Sequence, residues 1–436
     1  MAGSLSLVIG FYPTRLVRLI NSWILLPIEG RVCLLALLGV LLGVFCNFAI
    51  YKFAWTPRPI GPWLKPSPDV PARRVSDRIP IIGWLGLRRE RQVHGNGFWV
   101  RSMLIEIAMA IGIPMYYWYI TQTGAVLPIG FRNAAFLVIA EPYMTTVFAS
   151  HVVLITIMVA ATFIDFDEKT IPDILTIPGT IFALAFSWLS IWVFLPWDSP
   201  NGPEPITFAT PGGIDPAWLG PQGWWTAIGI WSMWCFALAN RRVILRRGLA
   251  KAVVYFCASL VRNYNWKLLL AIWISGAIAI RVLYSFNGIP WIGFLSALVG
   301  LGVGGGVVWT IRIVGSLAMR REALGFGDVT LMAMVGAFIG WQGSVMAFFV
   351  SPIAAIVIVL IYAILTRNAE IPFGPYLCAG TMLTIIWWDD LVSGWFVGNF
   401  AVLGQFILWL FLALAGMMGV MLFCYRVAIE WYQGNE

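Results

Sequence analysis

Two short stretches hold the residues best placed to do chemistry in this chain. In Gly325-Phe326-Gly327-Asp328, two glycines bring a carboxylate to the mouth of an apolar run that continues to Trp341. In Phe163-Ile164-Asp165-Phe166-Asp167, a second carboxylate closes another apolar run. A carboxylate at the centre of a membrane helix costs roughly 2.5–3.5 kcal/mol, so a carboxylate so near a span needs a partner or a task. Two carboxylates at one site divide the work of peptide hydrolysis, one as base toward a water and the other as acid. Such a pair needs no metal and no Ser, Cys or His nucleophile. The chain has only two histidines, His94 and His151, and no HExxH or GxSxG run.

Each acid also has a plainer explanation when taken singly. A lone Gly-x-Gly-Asp is more often a tight helix entry with an aspartate cap, and Asp165 alone serves equally well as an interfacial cap. Asp328 stands at a helix N-terminus, where the helix dipole favours an anion, whereas Asp165 stands near a C-terminus, where it does not. Asp167, Glu168 and Asp173 read as interfacial, with Asp173 a good N-cap after Pro172. Glu106, inside an apolar run, is the other expensive carboxylate and calls for a paired or functional role. Arg281 and Arg312 lie toward span ends, where a long side chain reaches the interface. His94 reads as interfacial, and His151 as facing a bundle interior. Cys33, Cys46, Cys235, Cys257, Cys378 and Cys424 form no CxxC pair and read as small hydrophobes.

The elements that must position these acids are membrane helices. Of the 436 residues, 60% are hydrophobic and 11% are charged, which excludes an ordinary soluble globular protein. The expected fold is an all-α polytopic bundle of about eleven transmembrane helices. They are placed near 33–54, 102–121, 143–164, 173–196, 224–240, 267–287, 293–317, 328–341, 345–365, 374–388 and 397–424. The boundary at Gly340 to Gly343 leaves room only for a tight turn.

Basic residues sort the loops. Lys52 to Arg101, Arg241 to Lys267, Lys169, Arg320-Arg321, Arg367 and Arg426 fall on one side, the cytoplasmic one by the positive-inside rule. Loops 197–223, 286–292, 342–344 and 389–396 carry no Lys or Arg, and Arg132 with the first thirty residues dissents. Asp165 ends a span descending to the basic face and Asp328 begins one leaving it, so topology permits them to converge. Arg15 to Leu26 suits a surface helix, and Leu5 to Tyr12 is too short for a clear signal peptide. Arg88-Arg89-Glu90-Arg91 reads as a positive-inside anchor toward anionic lipid. The chain divides into an N-terminal interfacial segment 1–32, two spans with the basic loop 55–101 in 33–121, a core 122–388 with a two-span insertion at about 200–290, and an added span in 389–436.

Three blocks resemble the type IV prepilin leader peptidases, polytopic aspartic proteases with a GxGD motif. They are Ala161-Thr-Phe-Ile-Asp165-Phe-Asp-Glu-Lys-Thr-Ile-Pro172-Asp173, Gly325-Phe-Gly-Asp328 with its trailing Gly336-Ala337 and Gly340-Trp341, and Ile371-Pro372-Phe373-Gly374-Pro375-Tyr376. Weaker matches lie upstream, in Gly43 to Asn47, Arg78 to Trp84 and Ser102 to Glu106. The resemblance implies Asp165 and Asp328 as the catalytic pair. Gly325, Gly327, Asp173, Pro372, Gly374 and Pro375 support them, and Asn47 and Glu106 mark an N-terminal site. It implies an endopeptidase of the bacterial inner (plasma) membrane cutting the basic leader of prepilins or pseudopilins at the cytoplasmic face. The expected partners are those substrates with their hydrophobic helix, the bilayer, and proteins of secretion or pilus assembly; no nucleic acid is expected. Basic leader residues would meet Asp167 and Glu168.

Most members of that family also carry two CxxC pairs tied to N-methylation of the new amino terminus. Here Arg88 to Trp99 occupies that place without a cysteine, so zinc is not expected. Proteolysis needs no cofactor, and S-adenosylmethionine would serve only if methyltransferase activity is retained. Eight spans would be family-like and three additional. The alternatives are a presenilin-like GxGD intramembrane protease and a transporter using the carboxylates as a proton relay. A relay has no need of Lys169-Thr-Ile-Pro172 or of Pro372-Phe-Gly-Pro375.

Overall fold

A computed structural model of the chain describes residues 14–66, 70, 72–238, 265–319, 324–366, 372–404 and 406–433. The main helices are α1 (Thr14–Ile24), α2 (Ile28–Lys52), α3 (Phe98–Thr121), α4 (Ala134–Glu168), α5 (Asp173–Leu189) and α6 (Pro221–Leu238). They continue as α7 (Asn265–Phe286), α8 (Gly288–Met319), α9 (Phe326–Thr366), α10 (Gly374–Ile386) and α11 (Phe406–Gln433). Among the described residues, seven helices are long and apolar enough to cross a membrane, and α5 and α10 are shorter apolar helices. The chain is an all-α polytopic membrane bundle. The expected basic segment 241–264, Leu5 to Tyr12, the Arg320-Arg321 pair, Arg367 and Ile371 lie outside the described residues.

One expected boundary changes and another holds. The span near 173–196 ends at Leu189, because Ser190 turns the chain and accepts a hydrogen bond from the Trp192 N–H. Beyond it, Pro196–Ser199 (β1) and Gly202–Pro205 (β2) form a small antiparallel hairpin. The spans near 328–341 and 345–365 form one continuous element, α9, broken at Gly340. There φ is 76° and ψ is 169°, a conformation open in practice only to glycine. A Cβ built on Gly304 of α8 would meet both the Met332 carbonyl and the Ser344 hydroxyl, from opposite sides of the break. α9 is therefore a helical hairpin, folding back at Gly340 as the tight turn required.

Close backbone approach holds this hairpin against α8. Gly300 and Gly336 face one another so tightly that a Cβ on either would overlap the other's carbonyl, which is how membrane helices gain dispersion contact. The turn itself is tied to loop 207–210, with Trp341 Nε1 donating to the Phe208 carbonyl (3.0 Å) and Gln342 Nε2 to the Thr207 carbonyl (2.7 Å). At the same end Trp388 Nε1 donates to the Pro196 carbonyl (2.5 Å), and the Asp198 N–H to Ser393 Oγ (3.0 Å). Arg132, the dissenting cation, is neutralised there by Asp389 at 2.8 Å.

At the opposite end, the loop between α2 and α3 folds on buried ion pairs. Arg73 pairs with Glu90 (2.9 Å) and also donates to the Gly61, Leu64 and Pro59 carbonyls. Arg89 grips Asp77, whose other contact is the Arg74 N–H (2.6 Å). Burial pushes the Asp77 carboxyl up, but the Arg89 and Arg74 hydrogen bonds outweigh it and hold the group below its ordinary range. His94 is buried beside Glu90 rather than interfacial, and burial lowers its imidazole pKa. The Arg88 to Arg91 stretch is thus partly internal, with Glu90 and Arg89 facing the loop's own core and not lipid.

Candidate active site

The last turn of α4 carries Asp165. The helix stops because Lys169 adopts the left-handed conformation (φ 55°) while its N–H still reaches the Asp165 carbonyl at 2.8 Å. The chain then passes through Ile171 and Pro172 into α5. α9 starts at Phe326, so Gly325 is its N-cap and Asp328 its third residue. The Gly325 N–H donates to the Asp328 carboxylate, the reciprocal half of a capping box. α10 starts at Gly374 with Pro375 in its first turn, where a missing N–H costs nothing.

Ile171 is the wedge on which these three elements close. A Cβ on Gly327 would stand 2.8 Å from the Ile171 Cβ and 2.9 Å from its carbonyl, and one on Gly374 would stand 2.8 Å from Ile171 Cδ1 and 2.5 Å from Asp165 Oδ2. Real Cβ atoms do not come so close: at Gly327 the Ile171 backbone bars a side chain, and at Gly374 a Cβ would displace the Asp165 carboxylate and the end of the Ile171 side chain. The result places Gly374 N 3.0 Å from Asp165 Oδ2. Asp165 and Asp328 are both buried, 3% and 7% exposed, and act on one another electrostatically.

This geometry revises the helix-end argument. Asp165 does lie near the C-terminus of its own helix, but the N-terminus of α10 points an N–H at it. Each aspartate therefore has one backbone donor at a helix N-terminus, and the expected asymmetry between them is largely offset. A shared proton between two such groups supplies an acid and a base at one point.

Two neighbours were not recognised in the sequence. Arg312 does not reach the interface but is buried (6% exposed). Its Nε donates to the Leu324 carbonyl (2.9 Å), its guanidinium lies over Phe326, and its charge acts on Asp328. The signal was a cation placed inside a glycine-rich apolar helix, where exposure to lipid is costly. Cys378, one turn into α10, is hydrogen-bonded to Thr162 and lies within the field of both aspartates. Only the convergence of α4, α9 and α10 identifies it.

Other chosen residues go elsewhere. Asp173 is exposed in the first turn of α5 and makes no cap hydrogen bond; Pro172 is the N-cap, and Asp173 only favours the helix dipole. Asp167 and Glu168, expected to meet a basic leader, are half-buried and already hold partners within the chain. Asp167 accepts two hydrogen bonds from Arg101 (2.6 and 2.9 Å) and one from Arg58 (3.3 Å), and Glu168 accepts the Trp55 and Thr56 N–H groups (2.5 and 2.9 Å). Asn47 and Glu106 do meet, at 3.0 Å, between α2 and α3. Glu106 also accepts the Ile81 N–H (2.5 Å) and Trp84 Nε1 (2.7 Å). Three protein donors engage this carboxylate, while Asn47 Oδ1 is buried without a partner. The Arg88 to Trp99 stretch supplies no thiolate for zinc, and no group of three or more metal-ligating side chains occurs among the described residues.

Residues 259–360 match the model of the Type IV leader peptidase family. The match contains Gly325 to Asp328 but not Asp165 or Gly374. A prepilin leader peptidase/N-methyltransferase of Aeromonas hydrophila is 33% identical over 115 residues, 25% of this chain and 39% of the relative. One from Pseudomonas putida is 30% identical over 118 residues, covering 26% and 39%. One from Pseudomonas aeruginosa is 34% identical over 88 residues, covering 19% and 30%. The chain thus aligns with about two fifths or less of the length of these curated relatives. No solved structure matches it.

Proposed function

We propose that this chain, which carries a type IV leader peptidase segment, is a multi-pass membrane aspartic endopeptidase that removes the leader of type IV prepilins or pseudopilins. The observation that carries this reading is the buried pair Asp165 and Asp328, interacting across the junction of α4, α9 and α10 with one backbone donor each. One carboxylate takes a proton from a water whose oxygen attacks the scissile carbonyl, while its protonated partner gives a proton to the carbonyl oxygen. Collapse of the tetrahedral intermediate breaks the C–N bond. The nitrogen leaves with a proton, giving a leader carboxylate and a new amine.

The aspartate end is assigned to the cytoplasm, and the membrane to the bacterial inner membrane. Support comes from Lys52, Arg58, Arg101 and Lys169 gathered at that end, against Asp198, Asp389 and Asp390 at the other. The substrate's hydrophobic helix would lie beside the bundle with its leader junction at the pair. The relatives' printed name includes N-methyltransferase.

The test incubates the detergent-solubilised protein with a prepilin and compares wild type with Asp165→Asn and Asp328→Asn. The expected result is cleavage in wild type and a loss of about 10³-fold or more in each variant. Cleavage surviving in either variant removes the reading. The mass of the product's amino terminus reports methylation in the same sample.

A further inference from the structure

We propose that Arg101 and Asp167 are positioning residues for Asp165, their ion pair holding the last turn of α4 against the N-terminal helices. The kinetic consequence rests on the peptidase reading above, whereas the geometric one does not.

α4 ends in Asp165-Phe166-Asp167-Glu168, three acids at the negative end of a helix dipole. Such a turn frays unless outside donors hold it. Those donors come from the α2–α3 region. Arg101 forks onto both oxygens of Asp167, the planar bidentate geometry that fixes orientation as well as distance, and Arg58 adds a longer contact. Trp55 and Thr56 cap the two oxygens of Glu168 with backbone N–H groups. Arg101 is itself fixed, with its guanidinium 5.9 Å from the Tyr51 ring centre and 5.8 Å from that of Phe163. Side chains of α2, α3 and α4 therefore meet on one cation.

Asp165 precedes Asp167 by two residues, about 200° around the helix. The turn thus presents one face to the Arg101 clamp and the opposite face to Gly374 and Asp328. Rotation or unwinding of this single turn would carry the Asp165 carboxylate away from the Gly374 N–H. Each of the four oxygens of Asp167 and Glu168 already accepts a hydrogen bond from the α2–α3 region, and both cations on the turn, Arg101 and Arg58, fall on Asp167. None of these residues falls within the segment matched by the family model, which starts at 259.

Full-length Asp167→Asn and Arg101→Gln variants, and the reversal Arg101→Asp with Asp167→Arg, test this in two ways. In cleavage of a prepilin, each single variant is expected to lower kcat on the order of 10–100-fold with KM little changed, and the reversal to recover most of it. In the second arm, an Asp165→Cys/Asp328→Cys pair is oxidised with copper phenanthroline, with each single cysteine variant as control. The yield of the 165–328 crosslink should fall with Asp167→Asn and return in the reversal. Unchanged kcat together with unchanged crosslinking overturns the inference. So does a rise in KM confined to substrates with a basic leader, since that marks Asp167 as a leader contact. If wild type cleaves no prepilin, the peptidase reading fails and the crosslinking arm alone decides this one.

Discussion

Glu106 and the pair Asp165 and Asp328 are buried carboxylates within long apolar helices, and their surroundings are built in opposite ways. Glu106 accepts hydrogen bonds from Asn47, the Ile81 N–H and Trp84, and is 1% exposed. Asp165 and Asp328 have one backbone donor each and each other. A carboxylate given three donors is stabilised as it stands and ties parts together, here the α2–α3 loop to the helices that bear it. A pair with fewer donors than oxygens retains capacity to exchange protons. The difference is one of partner supply rather than of burial.

This contrast is best broken by exchanging the roles. The largest effect should come from Asp328→Asn, with cleavage of a prepilin down about 10³-fold or more and thermal unfolding unchanged or shifted upward. A variant that loses stability instead would put Asp328 in the same class as Glu106. Next comes Glu106→Ala, which leaves Trp84 Nε1 and the Ile81 N–H unpaired while Asn47 keeps the Ser102 carbonyl, and should cost about 2 kcal/mol or more. Thermal unfolding and tryptic cleavage at the loop arginines would report it, and an unchanged midpoint would mean the three donors contribute little.

A smaller effect should follow Gly374→Ala, whose Cβ would press on Asp165 Oδ2 and Ile171. A displacement of about 1 Å there should lower kcat on the order of 10–100-fold. Full activity would mean α10 shifts freely, so that the Gly374 donor is dispensable. The smallest effect concerns the loop. Asp77, held below the ordinary carboxyl value of 3.8, adds stability above that pH and loses it as pH falls through its own lower value. Hydrogen exchange of amides 72–90 should quicken at acid pH in wild type and depend less on pH in Asp77→Asn. Equal profiles would remove Asp77 from the loop's framework.

Much of the architecture was legible because a bilayer restricts the alternatives. Apolar runs of sufficient length must be helices, and most of the described residues in the expected segments fall on helices, with the stretch 190–196 and the break at Gly404 among the exceptions. Glycine carried sharp local information at Gly340, where the turn was limited to a few residues. What could not be read was partner choice. Asp173 looked like a cap from its place after Pro172, yet the cap is Pro172. Arg312 looked like an interfacial arginine, but α9 and the Leu324 carbonyl draw it inward. Nothing near Asp167 and Glu168 in the sequence names the distant Arg101, Arg58, Trp55 and Thr56 as their partners.

By itself, then, the sequence determined a membrane bundle, the aspartates at Asp165 and Asp328, and the side of the bundle on which both would lie. These follow from hydropathy, helix length and charge count, all local properties that add along the chain. Only the tertiary structure decided that Ile171 sits between Gly327 and Gly374, that α10 turns its N-terminus on Asp165, and that Glu106 is saturated while the aspartates are not. Hydrogen-bond supply depends on which backbone groups arrive from segments up to 209 residues away in the chain, as Gly374 does at Asp165. Spacing along one strand of sequence does not encode that arrival; packing of glycine against isoleucine does.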